Sequence, residues 1–277
     1  MQKIWFITGV SSGFGLEITK QLLARGDIVA GTVRQGSSTE ELARLHPETF
    51  ARYTLDVRDR AALKAAIDAT AARFGRIDVL VNNAGYGLFG AAEELSEAEI
   101  DAVIGTNLTG SIAAVQAVLP HMRARKAGRI VQISSYGGQV AYPGNSLYHA
   151  TKFGIEGFCE SVAQEVAPFG IRFTIVEPGG ARTDFRYRSA HVAKLLPAYD
   201  GNPAHAFLKM LDPANGLAAG DPVRMASRII EAAESDKADA PLRIVLGSQA
   251  LHATLETLEK RLAELKTEEA LARSTDF

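Results

Sequence analysis

Residues 4–15 read Ile4-Trp5-Phe6-Ile7-Thr8-Gly9-Val10-Ser11-Ser12-Gly13-Phe14-Gly15. The apolar run is short and breaks at glycine, which predicts a brief buried strand over Ile4–Thr8 rather than a helix. A helical period picks up near Gly15–Arg25, so a glycine-rich turn joins the strand to the helix. Glycine adopts backbone angles closed to other residues and lets a ligand come close to the main chain. The first N–H groups of a helix have no partner inside it, and the helix dipole puts positive charge there. A strand, a glycine turn and a helix in that order therefore make a seat for a phosphate. The spacing is Gly-x-x-x-Gly-x-Gly, not the commoner Gly-x-Gly-x-x-Gly, and it lacks the lysine of a P-loop. A lone turn of this kind is a weak signal; its place at the first strand–helix junction gives it weight.

Further along, short β-branched runs alternate with amphipathic stretches. Strands are predicted at Ile28–Val33, Ala51–Leu55, Val79–Asn82, Arg129–Ser134, Arg172–Val176 and Arg243–Leu246. Helices are predicted near Arg60–Phe74, Glu97–Thr106, Leu108–Arg125, Ser146–Ala167 and Val223–Glu234. Alternation of this kind implies right-handed β-α-β units and an α/β fold, a Rossmann-like doubly wound parallel sheet with helices on both faces. No repeat or long linker interrupts it, so 277 residues are read as a single domain over 1–277. Two stretches break the rhythm. Residues 180–220 carry Pro197, Pro203 and Pro213 and read as a substrate-binding loop or lid. In the tail, 248–277, Leu251, Leu255, Leu258, Leu262 and Leu265 form one apolar stripe on a helix, to be packed on the body or on a sister subunit.

Composition narrows the function classes. A formal net charge of −2 offers no basic field for nucleic acid or an anionic membrane. The single cysteine, Cys159, excludes an intramolecular disulfide framework, and the six histidines form no close ligand grouping, so no metal is expected. No signal peptide is evident, and no segment approaches the roughly 20 apolar residues of a membrane span. The expected setting is the cytoplasm, and the expected partner is a small molecule.

The chemistry-bearing residues lie after the fifth strand. Tyr148 and Lys152 are four apart on a helix and share a face. A free phenol has a pKa of about 10, and a neighbouring cation lowers it, which suits a general acid/base. Ser135 follows Ser134 at the carboxyl end of a strand, where a parallel sheet faces its ligands. Its hydroxyl could stabilise charge developing on a substrate oxygen. Nothing around it resembles a nucleophile elbow. His149 is expected to point off the catalytic face.

Taken together, these motifs resemble the classical short-chain dehydrogenase/reductase (SDR) family over roughly residues 3–247. The glycine turn matches, as do Asp56-Val57, Asn82-Asn83-Ala84-Gly85, Asn107, Ser135, Tyr148, Lys152 and Pro178-Gly179 with Thr183. The resemblance implies an oxidoreductase with Asn107, Ser135, Tyr148 and Lys152 as its catalytic set, Asn107 holding a water that links Lys152 to solvent. It implies a nicotinamide dinucleotide held by Gly9, Ser11, Ser12, Gly13, Phe14 and Gly15, by Asp56, Val57, Asn83, Ala84 and Gly85, and by Tyr148 and Lys152. Pro178, Gly179, Ala181 and Thr183 would receive the nicotinamide. The second strand ends in Arg34 rather than an acid, so a 2′-phosphate is favoured and NADP(H) is expected over NAD(H). A medium-sized, largely apolar ketone or secondary alcohol is expected, against Tyr86, Phe89, Val140, Tyr142, Phe185, Tyr187, Leu195 and Leu196. Related enzymes pair through helices equivalent to Leu108–Arg125 and Ser146–Ala167, which implies a homo-oligomer. Two alternatives stand beside this reading. A dinucleotide-sensing regulator would usually lose the Tyr–Lys pair. An extended-type epimerase or dehydratase would carry another glycine spacing and a larger C-terminal domain.

Overall fold

The computed structural model describes residues 2–34, 39–183, 185, 189–211, 217–237 and 240–277. The described strands are β1 (Ile4–Ile7), β2 (Ile28–Val33), β3 (Phe50–Thr54), β4 (Val79–Asn82), β5 (Gly87–Phe89), β6 (Gly128–Ile133), β7 (Ile171–Pro178), β8 (Ala190–Val192) and β9 (Arg243–Leu246). Seven of them form one sheet in the order β3-β2-β1-β4-β6-β7-β9. Every neighbouring pair in it is parallel. Strands β1 and β4 are buried at every residue, as the apolar runs 4–7 and 79–81 require. The chain order reverses between them, which opens a crevice at their carboxyl ends. The remaining pair, β5 with β8, is a small parallel ladder that the sequence reading did not include.

The helices are α1 (Gly13–Ala24), α2 (Glu40–Leu45), α3 (Arg60–Phe74), α4 (Glu97–Ile104), α5 (Gly110–Arg125), α6 (Ser146–Val166), α7 (Pro203–Leu208), α8 (Pro222–Glu234), α9 (Ser248–Thr267) and α10 (Glu269–Arg273). Each sheet face carries its own core. Leu63, Ile67, Val118 and Ile155 of α3, α5 and α6 cover one face. Ile18 and Leu22 of α1 meet Ile229 and Ile230 of α8 on the other. Each such side chain taken out of water contributes about 1.5–3 kcal/mol, which holds the strand ends of the crevice in place.

Two expectations are corrected, the helix break at Asn107 and the absence of an apolar segment of membrane-spanning length. The break expected at Asn107 is a π-turn, Gly105–Thr109, and it joins α4 to α5 in one run. That run, Glu97–Arg125, is long and apolar enough to cross a membrane, with a mean hydropathy of 1.5 over its best window. Half of the window is buried, and the run packs on α3 and α6. The stretch read as a lid holds β8, a 3-10 turn at Pro197–Tyr199 and α7, and an Ala181–Gly220 bridge ties its ends together. In the tail, small residues attach α9 to the body, with Ala250 and Thr254 buried. The five leucines face away from the body, 44–65% exposed.

Candidate active site

A cavity of about 850 Å³ opens at the switch point. At one end lies the glycine turn. Gly9 sits at φ +73, and a Cβ on Gly15 would stand 2.1 Å from the Gly9 carbonyl oxygen, so that pair accepts only glycine. Asn83 fastens the turn by donating from Nδ2 to the Thr8 and Gly9 carbonyls, at 3.0 and 2.8 Å. The Thr8 hydroxyl accepts from the N–H groups of Asn83 and Ala84. Ser12 at the start of α1 makes no side-chain cap. The first N–H groups of a helix lack partners inside it, and those of α1 start beside the cavity, which suits a pyrophosphate. Gly9, Ser11, Ser12, Gly13 and Phe14 line it, whereas Gly15 lies beneath the turn and acts by its smallness alone.

Next to the turn stand Arg34, Asp56, Val57 and Arg58. Arg58 was missed by the sequence reading. Its guanidinium donates to Asp56 Oδ2 from Nε at 2.9 Å and from NH2 at 2.6 Å, and its amide donates to Oδ1 at 2.9 Å. The Arg58 side chain and amide hold the Asp56 carboxyl below the usual carboxylate range, with Arg34 helping. Two guanidinium groups and one already-paired acid therefore face this end.

At the other end, Tyr148 and Lys152 line the same cavity, one helical turn apart on α6. The Lys152 amine lies 5.5 Å from the centre of the phenol ring and donates to the Ile133 carbonyl at 3.0 Å. Ser135 caps the 3-10 turn Tyr136–Gly138 by accepting from the Gly137 amide at 3.0 Å. Burial pushes the Tyr148 phenol up to about 12, and a hydrogen bond with Ser135 acts the other way. Lys152 is not among the groups that lower it, and desolvation dominates. Burial also brings Lys152 down to about 8, opposed by the Glu156 carboxylate.

Asn107 stands behind the cavity wall rather than on it. Its side chain does not line the cavity; it brackets Tyr86, accepting from the amide at 3.0 Å and donating to the carbonyl at 2.8 Å. The amide is spent there, so Asn107 braces the wall. His149 does face the cavity, contrary to expectation. Its Nε2 accepts from the Tyr142 amide at 3.0 Å, which leaves Nδ1–H to donate to the Gly137 carbonyl at 2.8 Å. Burial lowers its proton affinity, in keeping with a neutral ring that pins the 137–142 loop.

Tyr86, Phe89, Tyr142 and Phe185 line the substrate end, where Tyr148 and Phe185 rings lie 6.1 Å apart. Val140 does not: the turn after Ser135 directs it to a separate cleft beside Ala253 and Glu256 of α9. Leu195 and Leu196 also lie outside the cavity lining, and Tyr187 lies outside the described residues. Pro178, Gly179, Ala181 and Thr183 line the middle. The sequence reading missed Tyr136, His191 and Phe207, which no local motif marks.

Comparisons with known proteins agree with this layout. Residues 3–192 match the family described as short chain dehydrogenase. Oxidoreductase BOA17 of Botryotinia fuckeliana is 37% identical over 252 residues, 91% of each chain. A crystal structure of a short-chain dehydrogenase from Streptomyces avermitilis superposes with a TM-score of 0.91 at 38% identity, covering 100% of this chain and 99% of that one. ElxO with NADP bound gives 0.72 at 28% identity, over 89% of this chain and 96% of its own. Glycine turn, strand order and profile thus converge: the chain belongs to the classical short-chain dehydrogenase/reductase family, oxidoreductases that act on CH–OH groups.

Proposed function

We propose that this enzyme uses NADP(H) to interconvert a carbonyl and a secondary alcohol on a medium-sized, largely apolar substrate, with Tyr148 as general acid/base. The observation that carries the reading is the meeting of Tyr148, Ser135 and Lys152 in one cavity with an aromatic lobe. The dinucleotide supplies the hydride when bound. Ser135 and Tyr148 are within reach of one substrate oxygen and would polarise it. A phenol raised to about 12 keeps its proton at neutral pH and can give it to the stronger base, an alkoxide. Lys152, brought down to about 8, stays partly charged near neutrality and can return a proton towards the phenol. Arg34 and Arg58 would pair with the 2′-phosphate. ElxO, which was solved with NADP, supports that preference by likeness.

A panel of ketones assayed with NADPH and with NADH tests the reading. Turnover with NADPH, lost in Tyr148→Phe, is expected; equal rates with both cofactors would remove the argument from Arg34. We also infer a cytoplasmic homo-oligomer paired across α5 and α6, for which light scattering in solution gives the mass.

A further inference from the structure

Glu94 is a buried carboxylate that the proposed proton transfer does not use. It ends a 3-10 turn, Ala92–Glu94, just after β5, and its side chain is 0% exposed. Its Oε2 accepts from the Ala91 amide at 2.6 Å. Its Oε1 accepts from the Leu196 amide at 2.6 Å and lies 2.7 Å from His205 Nε2. The other ring nitrogen of His205 is 3.4 Å from Asp200. Beside it, Glu93 accepts from the Tyr199 hydroxyl at 2.9 Å. Leu196, Tyr199, Asp200 and His205 all belong to the lid, so two neighbouring acids of the body gather it in. Burial by itself would raise the Glu94 carboxyl, but the Leu196 amide and His205 outweigh burial and hold it below its ordinary range.

His205 lies on α7, and Phe207 is two residues further on the same helix. The Phe207 ring stacks on Tyr142 at 5.7 Å and 20°, and on Phe89 at 6.3 Å and 23°. All three rings line the cavity. The seat is tight: a Cβ on Gly144 would meet the Ala204 carbonyl at 2.5 Å. A buried carboxylate is tolerated only when its charge is paired and its acceptors are filled. With the lid in place the Glu94 acceptors are filled; with the lid lifted, water has to fill those that Leu196 and His205 vacate.

We propose that Glu94 is a positioning residue that clamps the lid through Leu196 and His205, and that Phe207, set by this clamp, selects substrates with a flat, aromatic body. The selection half rests on the carbonyl-reductase reading above; the clamp does not. Glutamine tests the clamp sharply. It has one acceptor oxygen where two amide donors converge, so one N–H is left facing an NH₂ group.

Hydrogen exchange over 196–211 would be followed in the full chain, alongside kcat and KM for 2-acetylnaphthalene and acetone with NADPH. Glu94→Gln is expected to speed exchange at the Leu196 amide about tenfold or more. It should also raise KM for 2-acetylnaphthalene about tenfold, with kcat and the acetone KM changed less than about twofold. His205→Gln leaves both amide bonds to Glu94 in place, so it serves as the milder variant and should move both readouts the same way. Phe207→Ala should raise the naphthyl KM without faster exchange at Leu196. Unchanged exchange in both clamp variants would overturn the clamp. Faster exchange with an unchanged ratio of the two KM values would overturn the selection. If the natural enzyme reduces neither ketone, the reaction reading falls, and exchange at Leu196 alone decides the clamp.

Discussion

Replacing Glu177 with glutamine should flatten the dependence of stability on pH between 6 and 8. Glu177 is 1% exposed at the end of β7, and it shares one guanidinium, that of Arg243, with Glu156. The Arg243 Nε lies 3.3 Å from the Glu177 carboxylate and 3.2 Å from that of Glu156. Burial, then the negative charge of Glu156, pushes the Glu177 carboxyl up to about 8, against an ordinary value of 4.5. The folded chain therefore keeps a proton that the unfolded chain has lost above pH 4.5. This stabilisation is complete below that value and is lost as pH rises through about 8. Each pH unit inside the window costs about 1.4 kcal/mol, and the slope fades near the upper end, so the loss from pH 6 to 8 is about 2 kcal/mol. Lys152 has the opposite sign. Its folded value near 8 lies below the ordinary 10.5, so its stabilisation grows as pH rises above 8, which is why the measurement stops there. Urea unfolding followed by circular dichroism at pH 6, 7 and 8, on both proteins, reads the difference. Parallel curves for the natural chain and Glu177→Gln would refute the reasoning.

Tyr148→Phe removes the proton donor and should lower kcat about 10²–10⁴-fold. The affinity for NADPH, measured by fluorescence titration, should stay within about threefold, since the phosphate seat is untouched. Arg34→Asp should lower kcat/KM for NADPH about 10–100-fold, the worth of charged hydrogen bonds, while NADH loses little; an unchanged NADPH/NADH ratio would count against a 2′-phosphate contact. Gly15→Ala drives a methyl into the Gly9 carbonyl at 2.1 Å, so unfolding midpoints should fall by the equivalent of about 1–3 kcal/mol and NADPH binding should weaken with them. Asn107→Ala orphans both main-chain groups of Tyr86 and should cost about 1–3 kcal/mol for each, read by urea unfolding.

Much of the site was legible because it is local. The phosphate seat needs glycines at set positions between a strand and a helix, and all of these lie within a few residues of each other. Tyr148 and Lys152 share a face because helical geometry alone puts positions four apart together. Arg34 is read from the residue that follows β2. Asn107 was found as a residue, but its hold on Tyr86 was not, because that partner comes from another loop. Val140 was misplaced for a similar reason: the 3-10 turn after Ser135 decides which way the loop faces.

By itself the sequence determined the strand and helix alternation, the glycine turn and the order of the reactive side chains. These follow from backbone sterics and from periods of a few residues. Tertiary structure decided the rest. It brought Glu94 to His205 across 111 positions and Glu156 to Arg243 across 87. It also reversed the expected shift of the Tyr148 phenol, since desolvation depends on everything packed around a group and not on its neighbour along the helix. Proton affinity and pocket shape are properties of enclosed volume, and a chain encloses volume only when distant segments meet.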